Sequence, residues 1–383
     1  MTFVFWGAVA LLLYVIVGYG LLLMVLAMVM PRKSVCAPVK GLTVDFLIPA
    51  HNEAACIADK IRNTLALENP HGHSVRVWVV SDGSSDKTVA LAQALAAKHP
   101  QVRVIETPGR LGKLAAMNMV MPQLDGDIVV FSDANAMLAP KTLKALMRHF
   151  GDAQVGGVCG QISVGGKGTG QIGKAEGFFW RYDQALKAAE GQLGGVVSAQ
   201  GSIYAMRRKL VPDVPPGAAD DFFISVAAVD AGFLLAFEPQ ATTREAVTER
   251  AGKEMGRRIR STEMGWRALM HYRHLMNPLR TGLYGWQLFS HKFLRRMAPF
   301  ALIALFISNA FLLDAGLFYQ GLFAAQVAGY GLTAFAWFTP WVRRLPLVGK
   351  GMFFVMGNLA MLLGLVQYWR GQESSVWTPV RES

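Results

Sequence analysis

Residues 3–30 hold no charged side chain and end at Pro31-Arg32-Lys33. A helix of that length crosses a hydrocarbon core of roughly 30 Å. A cleaved signal peptide would carry its cations in front, a shorter apolar core and a small-residue cleavage site behind, whereas here the cations follow. Three further apolar runs, 299–317, 321–341 and 347–368, lie near the other end, parted by Asp314 and by a basic connector at 341–350. Four spans are expected. Arg32, Lys33, Arg343, Arg344 and Lys350 mark the cytoplasmic side under the positive-inside rule, which places 32–297 in the cytoplasm and the catalytic region on the inner face of the cell membrane.

The expected division is therefore a first span at 1–31, a cytoplasmic domain at 41–250, basic interfacial helices at 251–298, about three spans within 299–368 and a tail at 369–383. The chain carries a net charge of +12. Between Arg244 and Arg296, twelve Lys or Arg face four Glu, which accounts for most of that excess. Anionic lipid headgroups explain such a stretch beside spans, at about 1 kcal/mol per basic side chain near the surface. Nucleic acid is not an expected partner. Cys36, Cys56 and Cys159 are too widely spaced for a disulfide framework or a structural zinc site.

Within 41–250 strands alternate with helices: strands at 44–49, 75–81, 102–106 and 128–132, helices at 53–67, 86–98, 112–121 and 140–150. That alternation predicts an α/β fold with a mixed, mostly parallel sheet covered on both faces. Three of the strands run into polar residues, at 49–53, 82–86 and 133–135. In open α/β sheets the ligand lies at those C-terminal ends.

The motifs at these ends give the stretch a family resemblance. Pro49, Asn52 and Glu53 form a Pro-x-x-Asn-Glu strand end, Asp82-Gly83-Ser84 a turn, and Gly112-Lys113 with Asn118 a helix start; Asp133-Ala134-Asn135 and Asp220-Asp221 follow. In that order and spacing the chain resembles a membrane-bound family 2 glycosyltransferase of GT-A fold, related to polysaccharide synthases, over roughly residues 41–250.

The resemblance implies a donor-nucleotide site at Pro49, Ala50, Asn52, Glu53, Asp82, Gly112, Lys113 and Asp133, with Asp82 accepting from a uracil imide. It implies Mg²⁺ or Mn²⁺ at Asp133 and Asn135, hard cations suited to oxygen ligands. Asn135 stands where the family often has a second carboxylate, so it offers only a neutral oxygen. Asp221 is implied as the base that takes the acceptor hydroxyl's proton, with Asp220 and Gly201 on the acceptor side. Attack opposite the departing UDP inverts the anomeric centre. The competing reading of Asp220 and Asp221 is a simple helix cap after Pro215-Pro216-Gly217, and that of Gly201 a turn glycine.

Glu176, Trp180, Tyr182 and Lys187 share a helical face and are read as packing. The stretch 168–173 matches the dinucleotide fingerprint G-x-G-x-x-G, but it lies late in the domain and closes no first strand. The Gln-x-x-Arg-Trp motif of processive synthases is absent. The expectation is transfer of a sugar from a UDP-sugar to a lipid-linked or oligosaccharide acceptor, in exopolysaccharide or cell-envelope synthesis. A processive polysaccharide synthase is the alternative, and a non-catalytic sugar-nucleotide-binding component of an export complex the reading from another class. Membrane lipids are expected partners, and an oligomer is compatible with either enzyme.

Overall fold

The computed structural model describes residues 1–32, 36–164, 171–245, 251–339, 341–342 and 345–372. Lys33, Arg343 and Arg344 of the expected cytoplasmic markers, and 168–170 of the fingerprint match, lie outside the described residues.

The described strands are β1 (Thr43–Ala50), β2 (Ser74–Ser81), β3 (Val102–Glu106), β4 (Ile128–Phe131), β5 (Met137–Leu138), β6 (Val155–Val164), β7 (Tyr204–Arg207) and β8 (Leu234–Glu245). They form one sheet in the order β3-β2-β1-β4-β7-β6-β8-β5. β1 pairs in parallel with β2 and β4, and β2 with β3. β7 runs antiparallel to both β4 and β6. The sheet is mixed as expected, and its parallel half is the part written as strand-helix alternation.

β1 shows why that half sits in the middle. Val44, Phe46 and Ile48 enter one apolar cluster and Leu47 the other, so both faces of the strand are covered by helices. The acid at its start, Asp45, is buried but fully engaged: Arg76 donates at 2.6 and 2.8 Å, Trp78 Nε1 at 2.9 Å and Gly126 N at 2.9 Å. A buried carboxylate with its lone pairs satisfied escapes most of the desolvation penalty.

The helices are α1 (Thr2–Val29), α2 (Ile57–Leu65), α3 (Thr88–Ala96), α4 (Lys113–Val120), α5 (Thr142–Met147), α6 (Gln171–Gln192), α7 (Asp220–Asp230), α8 (Ala251–His271), α9 (Leu283–Ala310), α10 (Leu317–Phe338) and α11 (Pro346–Trp369). The helix expected from residue 53 starts at Ile57. Asn52 holds φ at 53°, a left-handed conformation that ends β1 in a turn and delays the helix.

Four helices are long and apolar enough to cross a membrane: Thr2–Val29, Leu283–Ala310, Leu317–Phe338 and Val348–Trp369. Phe3, Leu317 and Phe338 on them are more than four-fifths exposed, as expected of lipid-facing side chains. The second begins at Leu283 and ends at Ala310, not at 299–317 as the sequence implied. Its cations do not interrupt it: Lys292, within a π turn over Phe289–Leu294, and Arg296, just after it, both lie against aromatic rings of the protein. Small residues bring α1 and α9 together, Ala8 and Leu12 against Ala298 and Ala301.

α6 ties the sheet to the first of these apolar helices. Tyr19, Leu23 and Ala27 pack on Leu186 and Ala189. Tyr182 donates to the Ile16 carbonyl at 3.0 Å, inside the wide turn Tyr14–Gly18. Gly20 permits that approach, since a Cβ there would stand 2.4 Å from the Tyr182 hydroxyl oxygen.

Candidate active site

The end of β1 and the loop after β2 are pinned to each other. Asn52 Oδ1 accepts from Ser85 N at 2.8 Å, and Asn52 N donates to Ser84 Oγ at 3.1 Å. Glu53 N donates to Thr88 Oγ1 at 2.7 Å, and the Glu53 side chain is buried. Pro49 and Ala50 are the last pairs of the β1–β2 ladder, so they fix the floor of the same corner.

Asp82 is buried and its carboxylate holds the next loop: Leu111 N donates at 2.7 Å and Gly112 N at 3.0 Å. Gly83 is required beneath it, at φ 58°, because a Cβ would meet Arg110 N at 2.8 Å. Gly112 itself sits at φ 95° and opens α4, which starts with Lys113. A carboxylate offers about four acceptor positions, so the two amides leave Asp82 capacity for one more donor.

Lys113 then crosses to the far strands. Its Nζ lies 2.9 Å from Asp133 Oδ1 and 2.9 Å from Asp220 Oδ2. Burial alone would push the ammonium down, but the two carboxylate charges outweigh it and hold Lys113 above the ordinary lysine range. Asp220 and Asp221 open α7, and Phe222 N donates to Asp221 Oδ1 at 2.7 Å. Asp221 is pushed up to about 6 by burial and by the Asp220 charge beside it. The residue at the cap position is Ala219, and no side chain caps this helix, so the pair is not a simple cap.

Gly201 lies between the two acidic groups. A Cβ there would stand 3.6 Å from Asp221 Oδ2 and 3.9 Å from Asp133 Oδ2. Its φ is not among the left-handed ones, so the backbone does not demand glycine at this position. What the missing side chain leaves is space, at the point toward which Asp133 and Asp221 both turn.

Among the described residues, no three His, Cys, Asp or Glu side chains cluster as a metal site. Asp133 retains a second oxygen beyond its contact with Lys113, and Asn135 is exposed. One carboxylate and one amide oxygen, completed by substrate phosphates, make a donor set that suits Mg²⁺ or Mn²⁺.

The glycosyl transferase family 2 model matches residues 45–214. Residues 45–214 belong to that family. A beta-monoglucosyldiacylglycerol synthase of Trichormus variabilis is 31% identical over 176 residues, covering 43% of this chain and 36% of the relative. The chain thus spans about a third of that relative's length. An N-acetylglucosaminyltransferase of Sinorhizobium fredii is 24% identical over 279 residues and 66% of each chain. A mannosyltransferase of Pyrobaculum calidifontis, solved with GDP-Man and Mn2+, superposes with a TM-score of 0.70 at 22% identity, covering 96% of this chain and 99% of that one. The shared fold is GT-A, with C-terminal helices apolar enough to span a membrane.

In the glycosyltransferase domain several side chains complete the site without any local signal. Buried Lys60 donates to Ser132 Oγ at 2.7 Å and to the Ala136 carbonyl at 2.5 Å, so it clamps both sides of the Asp133–Asn135 loop. Ser132 in turn donates to the Ser202 carbonyl at 2.8 Å, which fixes the Gly201 loop against that same turn. Tyr204, opposite Phe131 in the β4–β7 register, stacks on it at 4.6 Å. Its hydroxyl is buried without a partner and is raised by burial and by Asp220, Asp221 and Asp133. Lys187, read as packing from its spacing, is buried and donates to the Ser198 carbonyl at 2.8 Å. The side chains of Glu176 and Trp180 lie outside the described residues. None of these contacts is visible at short sequence separation; Lys60 and Ser132 are 72 residues apart.

Proposed function

We propose that the protein is an inverting glycosyltransferase that moves a sugar from a UDP-sugar to a hydroxyl of a lipid-linked or glycan acceptor at the inner face of the cell membrane. The observation that carries this reading is the convergence of Lys113, Asp133, Asp220 and Asp221 around the open space at Gly201. It brings together a cation, a candidate metal ligand and a carboxyl pushed up to about 6.

The corner of Asn52, Glu53 and Asp82 holds the nucleotide. Asp82 has acceptor capacity for a base N–H while its two backbone amides keep it in place. Asp133, with Asn135, would hold Mg²⁺ or Mn²⁺, which when bound would supply Lewis-acid stabilisation of the leaving diphosphate. The Mn2+ in the mannosyltransferase supports use of a divalent metal. Lys113 contacts Asp133 and Asp220 and holds both side chains at fixed positions, so they need no reorganisation during the reaction. Asp221 takes the proton from the acceptor hydroxyl as it attacks, and its raised value places it within reach of neutral pH for that role. Gly201 leaves the acceptor room to approach both carboxylates.

Membrane preparations given a panel of UDP- and GDP-sugars with Mn²⁺ test the proposal. Release of UDP that requires both the metal and a lipid extract supports it. Release of GDP alone contradicts the UDP assignment, and no release with any donor contradicts the transfer reading.

A further inference from the structure

Near Asp221 lie two partly buried cations without an ion pair among the described residues and an indole N–H without an acceptor. Lys292 Nζ lies 5.7 Å from the centre of the Phe222 ring, the residue that follows Asp221. Arg296, one turn further along α9, sits with Cζ 5.7 Å from the centre of the Trp266 ring. Arg296 Nη1 donates to the Lys292 carbonyl at 2.9 Å, and a Cβ on Gly265 would stand 2.5 Å from Arg296 Nη2. Glycine at 265 is therefore what admits the guanidinium. The third donor is the Trp266 indole Nε1, buried without an acceptor.

The neighbouring basic side chains differ. Arg295 has Asp183 at 3.8 Å and His291 has Glu190 at 2.6 Å. Arg267 takes Glu263 at 2.7 Å, the acid nearest in sequence to Trp266. Among the described residues neither Lys292 nor Arg296 has an ion pair. A cation facing an aromatic ring gains less than its withdrawal from water costs. An orphaned indole N–H adds a cost of its own. Two partly buried cations without an ion pair within 4 Å and an N–H without an acceptor make the donor set of an anion site.

Its position says which anion. The nucleotide corner and Lys113 lie at the ends of β1, β2 and β4, whereas Lys292 and Arg296 project from a membrane helix on the side of Asp221. The Lys292 charge reaches Asp221, where it opposes the upward push of burial. Beyond Arg296 the helix continues uncharged to Ala310, with Ile303 and Ile307 exposed along it. A phosphate held by the two cations would leave an attached hydrocarbon chain lying along that surface.

We propose that Lys292, Arg296 and the Trp266 N–H bind a phosphate group of the acceptor and hold it beside Asp221. The inference deepens the glycosyl-transfer reading and rests on it for the word acceptor. The anion site itself does not depend on turnover.

The test uses the full-length protein in neutral detergent, titrated with dodecyl phosphate, dodecanol, inorganic phosphate and UDP. Dodecyl phosphate is expected to bind saturably and dodecanol not to. Lys292→Gln and Arg296→Gln each weaken the phosphate ligand about tenfold or more, the loss expected for a charged hydrogen bond, with UDP affinity unchanged as the folding control. Inorganic phosphate binding as tightly as dodecyl phosphate would support the site with a soluble phosphorylated acceptor; much weaker binding supports a lipid. Equal dodecyl phosphate affinity in wild type and both variants overturns the inference. So does a parallel loss of UDP affinity, which would give these cations to the donor diphosphate. If no UDP-sugar is turned over but the variants still lose dodecyl phosphate, the transfer reading fails and the anion site stands.

Discussion

The proposed nucleotide corner and the proposed anion site near Asp221 are built on opposite rules. At the ends of β1, β2 and β4 the polar groups answer one another: Asn52 with Ser84 and Ser85, Asp82 with Leu111 and Gly112, Lys113 with Asp133 and Asp220. Around α8 and α9, Lys292 and Arg296 lie against aromatic rings without an ion pair among the described residues, and Trp266 Nε1 is buried without an acceptor. The first region is organised before a ligand arrives; the second carries an electrostatic cost that a ligand would remove. The contrast suggests a rigid donor side of fixed geometry and an acceptor side whose complementary charge comes with the substrate.

Breaking the closed region should therefore cost stability as well as function. Lys113→Met leaves Asp133 and Asp220 facing each other without their shared cation. The expected loss is about 3 kcal/mol, as for a partly buried pair deprived of one partner, read by denaturant unfolding together with a loss of UDP binding. Asn52→Ala removes both the bridge to Ser85 and the residue that tolerates φ 53°. About 2 kcal/mol is expected from strain and one lost bond. Asn52→Gly relieves the strain and should recover part of that loss.

The charge on Asp221 makes a smaller prediction with a defined sign. Its carboxyl titrates near 6 in the folded chain, above the value of about 4 in the unfolded one. The folded state holds the extra proton between those values, so this group's contribution to stability is present at low pH and lost as pH rises through 6. Asp221→Asn should raise Tm at pH 8 and change it little at pH 4. An equal change at both pH values would mean that the carboxyl is not raised. The smallest effect belongs to Tyr204, whose buried hydroxyl has no partner. Tyr204→Phe should be neutral or stabilising by up to about 1 kcal/mol in thermal unfolding.

Sequence legibility divides along a similar line. The parallel half of the sheet was readable because β1 and β2 are short apolar runs bounded by turn residues, and the expected strand at 102–106 matches Val102–Glu106 residue for residue. The polar ends of those strands were readable too, since Asn52, Asp82 and Gly112 act on neighbours through turns with their own chemical signatures. Lys60, Ser132 and Tyr204 were not, because each works through a contact made by the sheet order. The membrane helix at Leu283–Ala310 was misplaced because Lys292, Arg295 and Arg296 look like the end of an apolar run. Only the fold turns Lys292 and Arg296 inward. Sequence patterns record periodicity and local turns, whereas charges directed at a ligand leave no periodic trace.

The most direct measurement of the central claim is turnover by Asp221→Asn beside UDP binding by the same variant. With the base removed and the nucleotide corner untouched, UDP release in the presence of acceptor and Mn²⁺ should fall by a factor of at least about 100, while UDP affinity stays unchanged. In the wild type the rate should decline as pH drops through about 6, following the Asp221 carboxyl. Unchanged turnover in the variant would contradict the account and place proton removal elsewhere.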